Sequence, residues 1–298
     1  MESLYINNLN KSYGDHQVLH DMTLHVQPGE MYGFVGSNGA GKSTTMRIAL
    51  GVLAADSGEV LMGDKPIDDD LRRRIGYMPE ERGLYAKEKI GDQLRFFARL
   101  HGLNDNAAKQ NAESLLEQLG LAERADDKLE ELSLGNQQRV QLAASLIHDP
   151  ELLILDEPFS GLDPVAVNVM SDLLVERCKA GVPVLFSSHQ LDLVQRLCDR
   201  VGIISKGRMK AEGTVDELRT RGPLVYEVRT PARDWYPLGT SLVEDFGDGV
   251  LLEAESTDQD QQILQAALAV GPVHSFSRRI PHLAELLSLI HISEPTRL

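Results

Sequence analysis

Residues 36–44 contain the highest concentration of groups suited to bind anions and metal ions, because three glycines there precede a lysine and two hydroxyl side chains. The glycines allow the backbone to curl so that successive N–H groups point at an anion. Lys42 would place an ammonium on outer phosphates, and the Ser43 hydroxyl would ligate Mg²⁺. The spacing is that of a nucleotide triphosphate site. Its members are Gly36, Ser37, Asn38, Gly39, Ala40, Gly41, Lys42, Ser43 and Thr44.

Two adjacent carboxylates, Asp156 and Glu157, follow four apolar residues in the segment 151–158. At the end of a buried strand, Asp156 would hold Mg²⁺ through its water shell. Glu157 would accept a proton from an attacking water molecule. A helix cap after a core strand would account for one of these acids but not for both.

Single residues elsewhere admit two interpretations each. Tyr13 is either a core aromatic or a ring that stacks on a base. Ser133 is either a plain helix N-cap or part of a site. A lone histidine such as His189 is usually structural, but this one follows a strand on the face where phosphates would bind. The polar loop 79–83 also follows a strand, where α/β proteins place ligand contacts.

Strands and helices alternate in the order that would position these groups, which predicts an α/β fold. An apolar strand precedes the glycine loop and a helix follows it, as this motif requires. Residues 87–125 favour helices, with a break at 102–105. Further predicted elements are helices 140–147, 165–180, 258–270 and 283–286 and strands over 182–187 and 273–277.

Composition and charge limit the partners. The net charge of −15 argues against nucleic acid as the main partner, because phosphate binding needs a basic face. Cys178 and Cys198 form no CxxC pair and suit a reducing compartment. No apolar run approaches the roughly 18 residues of a membrane span, and the first residues are not those of a signal peptide. We therefore expect a cytoplasmic chain whose membrane part, if any, belongs to another polypeptide.

Residues 1 to about 215 resemble the ATP-binding subunit of an ABC transporter through six ordered motifs. The resemblance implies a P-loop NTPase domain, a mixed sheet with a helical subdomain, that binds ATP and Mg²⁺ and hydrolyses ATP. By this resemblance, Tyr13 and residues 36–44 bind the nucleotide, and Ser133, Gly135 and Asp163 contact the nucleotide that is shared with a second subunit. The implied Mg²⁺ ligands are Ser43, Asp156 and Glu80. The implied catalytic residues are Glu157, His189 and Lys42.

The resemblance also implies partners. Members of this family work as homodimers or heterodimers with two ATP molecules between the subunits, on an integral membrane permease at the cytoplasmic face of the cell membrane. The sequence departs from the family pattern in two places. In the signature motif, Leu134 and Asn136 replace the usual glycine and glutamine. Glu80 stands where the family usually has a glutamine that touches Mg²⁺ and contacts the membrane subunit.

The segment 76–85 resembles export-type subunits related to sodium-extruding systems. The resulting domain prediction is an ABC ATP-binding domain over 1–220, with its helical subdomain at about 87–145. A small α+β accessory domain follows over 222–286, similar to a C-terminal domain of unknown function in that subgroup. Residues 287–298 resemble the translation of a transposase adapter used in library preparation, and we expect this tail to be non-native.

Two non-transport classes use the same ATPase. Ribosome-acting members carry two cassettes in one chain, whereas this chain has one set of motifs. DNA-acting members separate the two halves of the cassette by long coiled coils, and the sequence has no such heptads. The favoured prediction is therefore an ATPase subunit that powers transport, in the direction of export.

Overall fold

The computed structural model describes residues 1–81, 83–220 and 224–280. The chain divides into two compact units, one running from Met1 to Thr214 and one beginning at Val215. The sequence placed a domain limit at about residue 220, whereas the compact units divide after Thr214. The functional limits of the domains stay a prediction.

Two sheets form the framework of the first unit. In chain order its strands are β1 (Leu4–Tyr13), β2 (His16–Val26), β3 (Met31–Val35), β4 (Ser57–Met62), β5 (Lys65–Pro66), β6 (Ile75–Met78), β7 (Leu152–Leu155), β8 (Val184–Ser188), β9 (Arg200–Ser205) and β10 (Arg208–Thr214). The smaller sheet has the order β2-β1-β4-β5 and is antiparallel. The larger sheet has the order β10-β9-β3-β8-β7-β6.

The larger sheet is parallel from β9 to β6, and β10 pairs antiparallel at its edge. Strands β3, β7 and β8 are buried along their whole length, which explains why they are mostly apolar, although β8 ends in two buried serines. Val35 pairs with Ser188, Leu155 with Phe186, and Met78 with Leu155. The carboxyl ends of these four strands therefore meet at one edge, where the predicted site segments begin.

The described part of this unit also contains two short 3-10 helices, Ala122–Arg124 and Leu129–Glu131, and seven α-helices: α1 (Lys42–Ala49), α2 (Asp69–Arg72), α3 (Ile90–Leu100), α4 (Asp105–Gln118), α5 (Leu134–Leu146), α6 (Pro164–Lys179) and α7 (Leu191–Leu197). In α3, the buried residues Ile90, Leu94 and Ala98 recur every fourth position and make one apolar face. Helices α3, α4 and α5 pack against one another. No helix in the described residues combines the length and the apolar character that crossing a bilayer requires.

Helix α5 begins earlier than the sequence predicted. The prediction started this helix at residue 140, and the structure starts it at Leu134 with Ser133 as its N-cap. The Ser133 hydroxyl accepts a hydrogen bond from the Asn136 N–H at 3.4 Å, and the Ser133 carbonyl accepts one from Gln137 at 2.9 Å. These bonds close the first turn despite Gly135, so the predicted signature residues themselves form the helix N-terminus.

The second unit is a small α+β structure, as predicted. Its described elements are α8 (Val215–Thr220), β11 (Leu224–Arg229), β12 (Thr240–Asp245), β13 (Val250–Ala254), α9 (Gln259–Val270) and β14 (Ser275–Arg279). The strands form an antiparallel sheet in the order β12-β13-β11-β14. Strand β14 starts two residues after the predicted position, because its ladder with β11 begins at the pair Arg229 and Ser275. The predicted helix 283–286 and the adapter-like tail 287–298 lie outside the described residues.

Each unit has its own hydrophobic core. The core of the first unit combines side chains from both sheets and from α1, among them Ile6, Phe34, Met46 and Ile154. The core of the second unit lies between its sheet and α9: Tyr226, Val228, Trp235, Val250, Leu252, Ala254, Ile263 and Ala267.

Candidate active site

The glycine loop joins β3 to α1 and is shaped around the Lys42 side chain. The Lys42 ammonium donates to the Gly36 carbonyl at 2.7 Å and, at 3.4 Å, to the Ser37 carbonyl. Helix α1 begins at Lys42 itself, so the partial positive charge of the helix N-terminus lies beside this ammonium. The loop therefore concentrates positive charge and backbone donors at one place, as phosphate binding requires.

Two of the loop glycines are required by their surroundings. A Cβ atom at position 36 would lie 2.4 Å from the Ile204 carbonyl oxygen, so the β9 backbone excludes any side chain there. Gly41 has a φ of 110° and would meet Leu19 at 2.7 Å. Both the backbone conformation and the close approach therefore favour glycine at these positions.

The loop forms one wall of an open cavity of about 430 Å³. Carboxylates from the loops that follow β6 and β7 also line this cavity. The cavity therefore brings the predicted phosphate, metal and catalytic groups together. Its lining residues are Tyr13, Val18, Asn38, Gly39, Gly41, Lys42, Ser43, Thr44, Glu80, Asp156 and Glu157.

Glu157 lies at the centre of the charged groups. Its Oε1 atom is 3.8 Å from the Lys42 ammonium, and both side chains are 7% exposed. Its Oε2 atom is 2.9 Å from Nδ1 of His189. Oε1 is buried and has no hydrogen-bond partner among the described residues. A buried carboxylate oxygen in this state is suited to accept a proton from a polar group that enters the cavity.

His189 follows β8 and does not line the cavity itself. Its side chain is 55% exposed, and its contact with the site is the hydrogen bond to Glu157. Such a bond fixes the rotamer of the glutamate and leaves the other ring nitrogen free to face solvent or a ligand.

Glu80 reaches the cavity from the loop after β6, which α5 holds in place. The Gln141 side-chain amide donates to the carbonyls of Pro79 at 2.7 Å and Glu81 at 3.3 Å, on either side of Glu80. Gln141 is buried, so this helix residue fixes the backbone from which the carboxylate projects.

Tyr13 is an exposed aromatic at the rim of the cavity. Tyr13 is 51% exposed, and the Lys11 ammonium lies 5.7 Å from the centroid of its ring. The core interpretation of this residue is therefore excluded, and the accessible face of the ring is consistent with stacking on a base.

Ser133, Gly135 and Asp163 are absent from this cavity's lining. Gly135 lies near Asp163 instead, since a Cβ atom at Gly135 would be 3.9 Å from the Asp163 carboxylate, and Ser133 is the N-cap of the helix that contains Gly135. Asp163 caps α6 by accepting from the N–H groups of Val165 and Ala166, both at 2.9 Å. The two helix N-termini thus form a second polar cluster.

Comparison with known proteins decides the family. The chain is 35% identical over 287 residues to the ABC transporter ATP-binding protein YhaQ of Bacillus subtilis. The aligned residues cover 95% of this chain and 96% of that protein. This chain belongs to the ABC transporter ATP-binding proteins. A family model described as "ABC transporter" matches residues 19–160 of this ABC protein.

Two further relatives agree. The Nod factor export ATP-binding protein I of Cupriavidus metallidurans is 38% identical over 218 residues, which are 72% of each chain. A solved structure of an ATP-binding subunit of an ABC transporter superposes with a TM-score of 0.68 at 33% identity, over 73% of this chain and 92% of that one. The fold is accordingly the predicted P-loop NTPase fold of ABC ATPases, and the glycine loop is its Walker A motif.

The residues at the cavity fit Mg²⁺. A hydroxyl from Ser43 and the carboxylates of Asp156 and Glu80 are hard oxygen donors, which this ion prefers. No group of three His, Cys, Asp or Glu side chains in the described residues could hold a metal ion alone. A site of this composition suits Mg²⁺ held jointly by few protein oxygens and by phosphates, the usual arrangement for this ion.

The sequence reasoning missed three residues around the ABC site. Val18 lines the cavity from β2, Gln141 fixes the Glu80 loop, and Ser187 bonds to both Asp156 and Glu157. One signal was available for Ser187. A serine inside an apolar strand must find a buried hydrogen-bond partner, and the neighbouring strand ends in carboxylates.

Proposed function

We propose that this chain binds ATP with Mg²⁺ and hydrolyses it to power export through a separate integral membrane permease. The observation that carries the proposal is the contact of Glu157 with both Lys42 and His189 at the wall of the Walker A cavity. These groups supply a base, a cation and an orienting residue within one site.

In this mechanism Lys42 and the α1 N-terminus hold the outer phosphates and stabilise the charge that develops on them. Glu157 accepts the proton of the attacking water while His189 keeps its carboxylate oriented. Ser43, Asp156 and Glu80 would hold Mg²⁺, which neutralises phosphate charge when bound. Tyr13 stacks on the adenine ring at the rim.

A dimer, either of this chain or with a related subunit, completes the site. Ser133, Gly135 and Asp163 lie outside the chain's own cavity, although the family resemblance gives them to the nucleotide site. Gly135 is in the first turn of α5, where free N–H groups and the helix dipole favour a phosphate. We infer that this helix N-terminus faces the γ-phosphate held by the partner subunit.

The permease would bring the subunit to the cytoplasmic face of the cell membrane. A groove of about 400 Å³ on the helical region supports a docking site, since Tyr85 and Phe96 are exposed there beside Glu88 and Asp92.

If the permease binds this groove, Phe96→Glu should abolish co-purification of the permease while the isolated subunit keeps its ATPase activity. Retained co-purification would exclude the groove as the docking site.

Export is supported by the name of the Nod factor export relative and by the resemblance of 76–85 to export-type subunits related to sodium-extruding systems. The second unit would be the accessory domain found in that subgroup. No role in catalysis is assigned to it, and a packing or regulatory role is proposed.

The central test is Glu157→Gln. We expect this variant to bind ATP normally and to hydrolyse it roughly 10²-fold more slowly or worse, because the base is lost. In the presence of ATP, the variant should also accumulate as a stable dimer, which size-exclusion chromatography can measure. Glu176→Gln is the matched control, because it removes the same charge from an exposed position on α6.

Two outcomes would contradict the proposal. Wild-type turnover in Glu157→Gln would remove this residue from the mechanism. A transport role would be contradicted if the chain co-purified with ribosomes or DNA and with no membrane protein, as the non-transport ABC classes would.

A further inference from the structure

Ser187 is a buried residue of β8 that touches both acids of the site. Its side chain is 0% exposed, and it is not among the residues that line the cavity. Its hydroxyl donates to Oδ1 of Asp156 at 2.6 Å and accepts from the backbone N–H of Glu157 at 2.8 Å. One hydroxyl group therefore joins the side chain of one acid to the main chain of the next.

The sheet register makes this bridge possible. Strands β7 and β8 are parallel neighbours, and Leu155, the last residue of β7, pairs with Phe186. Ser187 is the next residue of β8, so it lies beside the point where the chain leaves β7 and enters the acidic pair. At this position a hydroxyl can reach the acids, whereas an apolar side chain would leave the Glu157 N–H buried without this partner.

The backbone of Glu157 gives the bridge a specific task. Glu157 has a φ of 50°, in the left-handed region that non-glycine residues seldom adopt. This turn directs the chain sharply after Asp156, and the Glu157 carboxylate reaches both Lys42 and His189. The bond from its N–H to Ser187 helps to hold the backbone in this unfavourable conformation.

We propose that Ser187 is a positioning residue for ATP hydrolysis, which sets the Asp156 carboxylate for the metal and the Glu157 backbone for proton abstraction. The proposal rests on the function proposed above for these two acids. Ser187 acts through them and contacts neither nucleotide nor metal. Groups that orient metal ligands in this way commonly change metal affinity or activity by about 10–100-fold when removed.

The test compares Ser187→Ala with Ser187→Thr, which keeps the hydroxyl and suits a strand. The matched control is Ser171→Ala, because Ser171 is also buried and its hydroxyl has no hydrogen-bond partner among the described residues. Two quantities are measured for each: kcat for ATP hydrolysis, and the Kd of Mn²⁺ by electron paramagnetic resonance with a non-hydrolysable ATP analogue. The second measurement involves no turnover, and melting temperatures report the fold.

We expect Ser187→Ala to lower kcat and to weaken Mn²⁺ binding by about tenfold or more each, and Ser187→Thr to recover most of both losses. Ser171→Ala should leave both quantities within about twofold of wild type. A purely structural serine would lower the melting temperature of Ser187→Ala while Mn²⁺ affinity stayed unchanged, and that result would overturn the proposal. If Ser187→Thr does not fold, the comparison of the two alanine variants decides by the same criteria.

Glu157→Gln separates this proposal from the one on which it rests. If Glu157→Gln is inactive and Ser187→Ala behaves as wild type, only the role of Ser187 fails. If Glu157→Gln is fully active, the proposed mechanism fails whatever Ser187→Ala does.

Discussion

Three carboxylates, those of Glu80, Asp156 and Glu157, line one cavity, and among the described lining residues Lys42 alone carries positive charge. Like charges at short range repel, and the repulsion grows where water is excluded. A bound triphosphate would add more negative charge to the same place. The balance of charge in the cavity therefore depends on the cation that binds together with the nucleotide. Of the three carboxylates, Glu80 is the one that stands where the family usually has a neutral amide.

Glu80→Gln tests this balance at the residue scale. We expect the isolated subunit to keep its ATPase activity or to gain modestly, because the variant removes repulsion and keeps an oxygen donor towards Mg²⁺. Mg²⁺-dependence curves of both proteins provide the measurement, with Glu81→Gln as the control for a neighbouring carboxylate that does not line the cavity. Loss of activity in Glu80→Gln alone would show instead that the negative charge is a required part of the metal site.

Helix α5 links two parts of the site at the scale of elements. Its first turn carries Gly135, and six residues further on, somewhat less than two turns, Gln141 donates to carbonyls of the loop that carries Glu80. A shift of this helix would therefore move both the surface offered to a partner's nucleotide and the Glu80 backbone. The same helix packs on α3 and α4, beside the groove that we propose for the permease.

Gly135→Ala should separate folding from dimer function. The nearest atom to an added Cβ is 3.6 Å away, at Ala166, so the isolated chain accommodates the methyl group. Alanine is also the better helix former, and the melting temperature should stay the same or rise slightly. If a phosphate of the partner's nucleotide approaches this turn, the methyl group obstructs it. Size-exclusion chromatography in the Glu157→Gln background should then show about tenfold less ATP-induced dimer, and an unchanged dimer would exclude close approach at Gly135.

A histidine pair joins the ends of α3 and α5. The rings of His101 and His148 stack with centroids 3.7 Å apart and an angle of 7° between their planes. Burial lowers the pKa of His148 from 6.5 to about 4, and the charge on His101 contributes in the same direction. In the unfolded chain His148 binds its proton near the ordinary pKa, so between these values the unfolded state binds more protons.

The expected result is a loss of stability on acidification, from about pH 6.5 down to about pH 4. Urea unfolding at several pH values in this window provides the measurement. His148→Phe should flatten the His148 contribution because it keeps a ring to stack and removes the titrating group. His16→Gln is the control, since His16 is exposed. Equal pH dependence of His148→Phe and wild type would contradict the assignment to His148.

At the scale of the whole molecule, the chain divides into two units, and the two hydrophobic cores have no residue in common within the described part of the chain. A protein ending at Thr214, the last residue of the first unit, should therefore fold and hydrolyse ATP at a rate within about threefold of the full chain, because a compact unit with its own core can fold alone. A second protein ending at Leu286 lacks the adapter-like segment 287–298 and should match the full chain. Activity and thermal melts provide the measurements. A shortened protein that aggregates or loses its nucleotide site would show that the second unit is required for the first.

Much of this protein is encoded locally. The Walker A loop, the acids after β7 and the apolar strands are each recognisable within about ten residues, because glycine content, charge and hydrophobic runs act on the nearby backbone. The fold class followed from the order of these segments, and comparison with known proteins confirms it. The ends of the elements are not encoded as locally: the prediction started α5 at residue 140, whereas the structure starts it at Leu134, directly after the capping hydroxyl of Ser133.

The tertiary structure alone decided which side chains meet. Ser187 contacts Asp156 and Glu157 because β8 is inserted between β3 and β7, although it follows β7 along the chain. Gln141 reaches the carbonyls beside Glu80, and His148 stacks on His101, only after α5 packs against its neighbours. Sequence patterns fix the type of each element, but contacts between distant segments depend on strand order and register. Local periodicity gives no direct information about either of these.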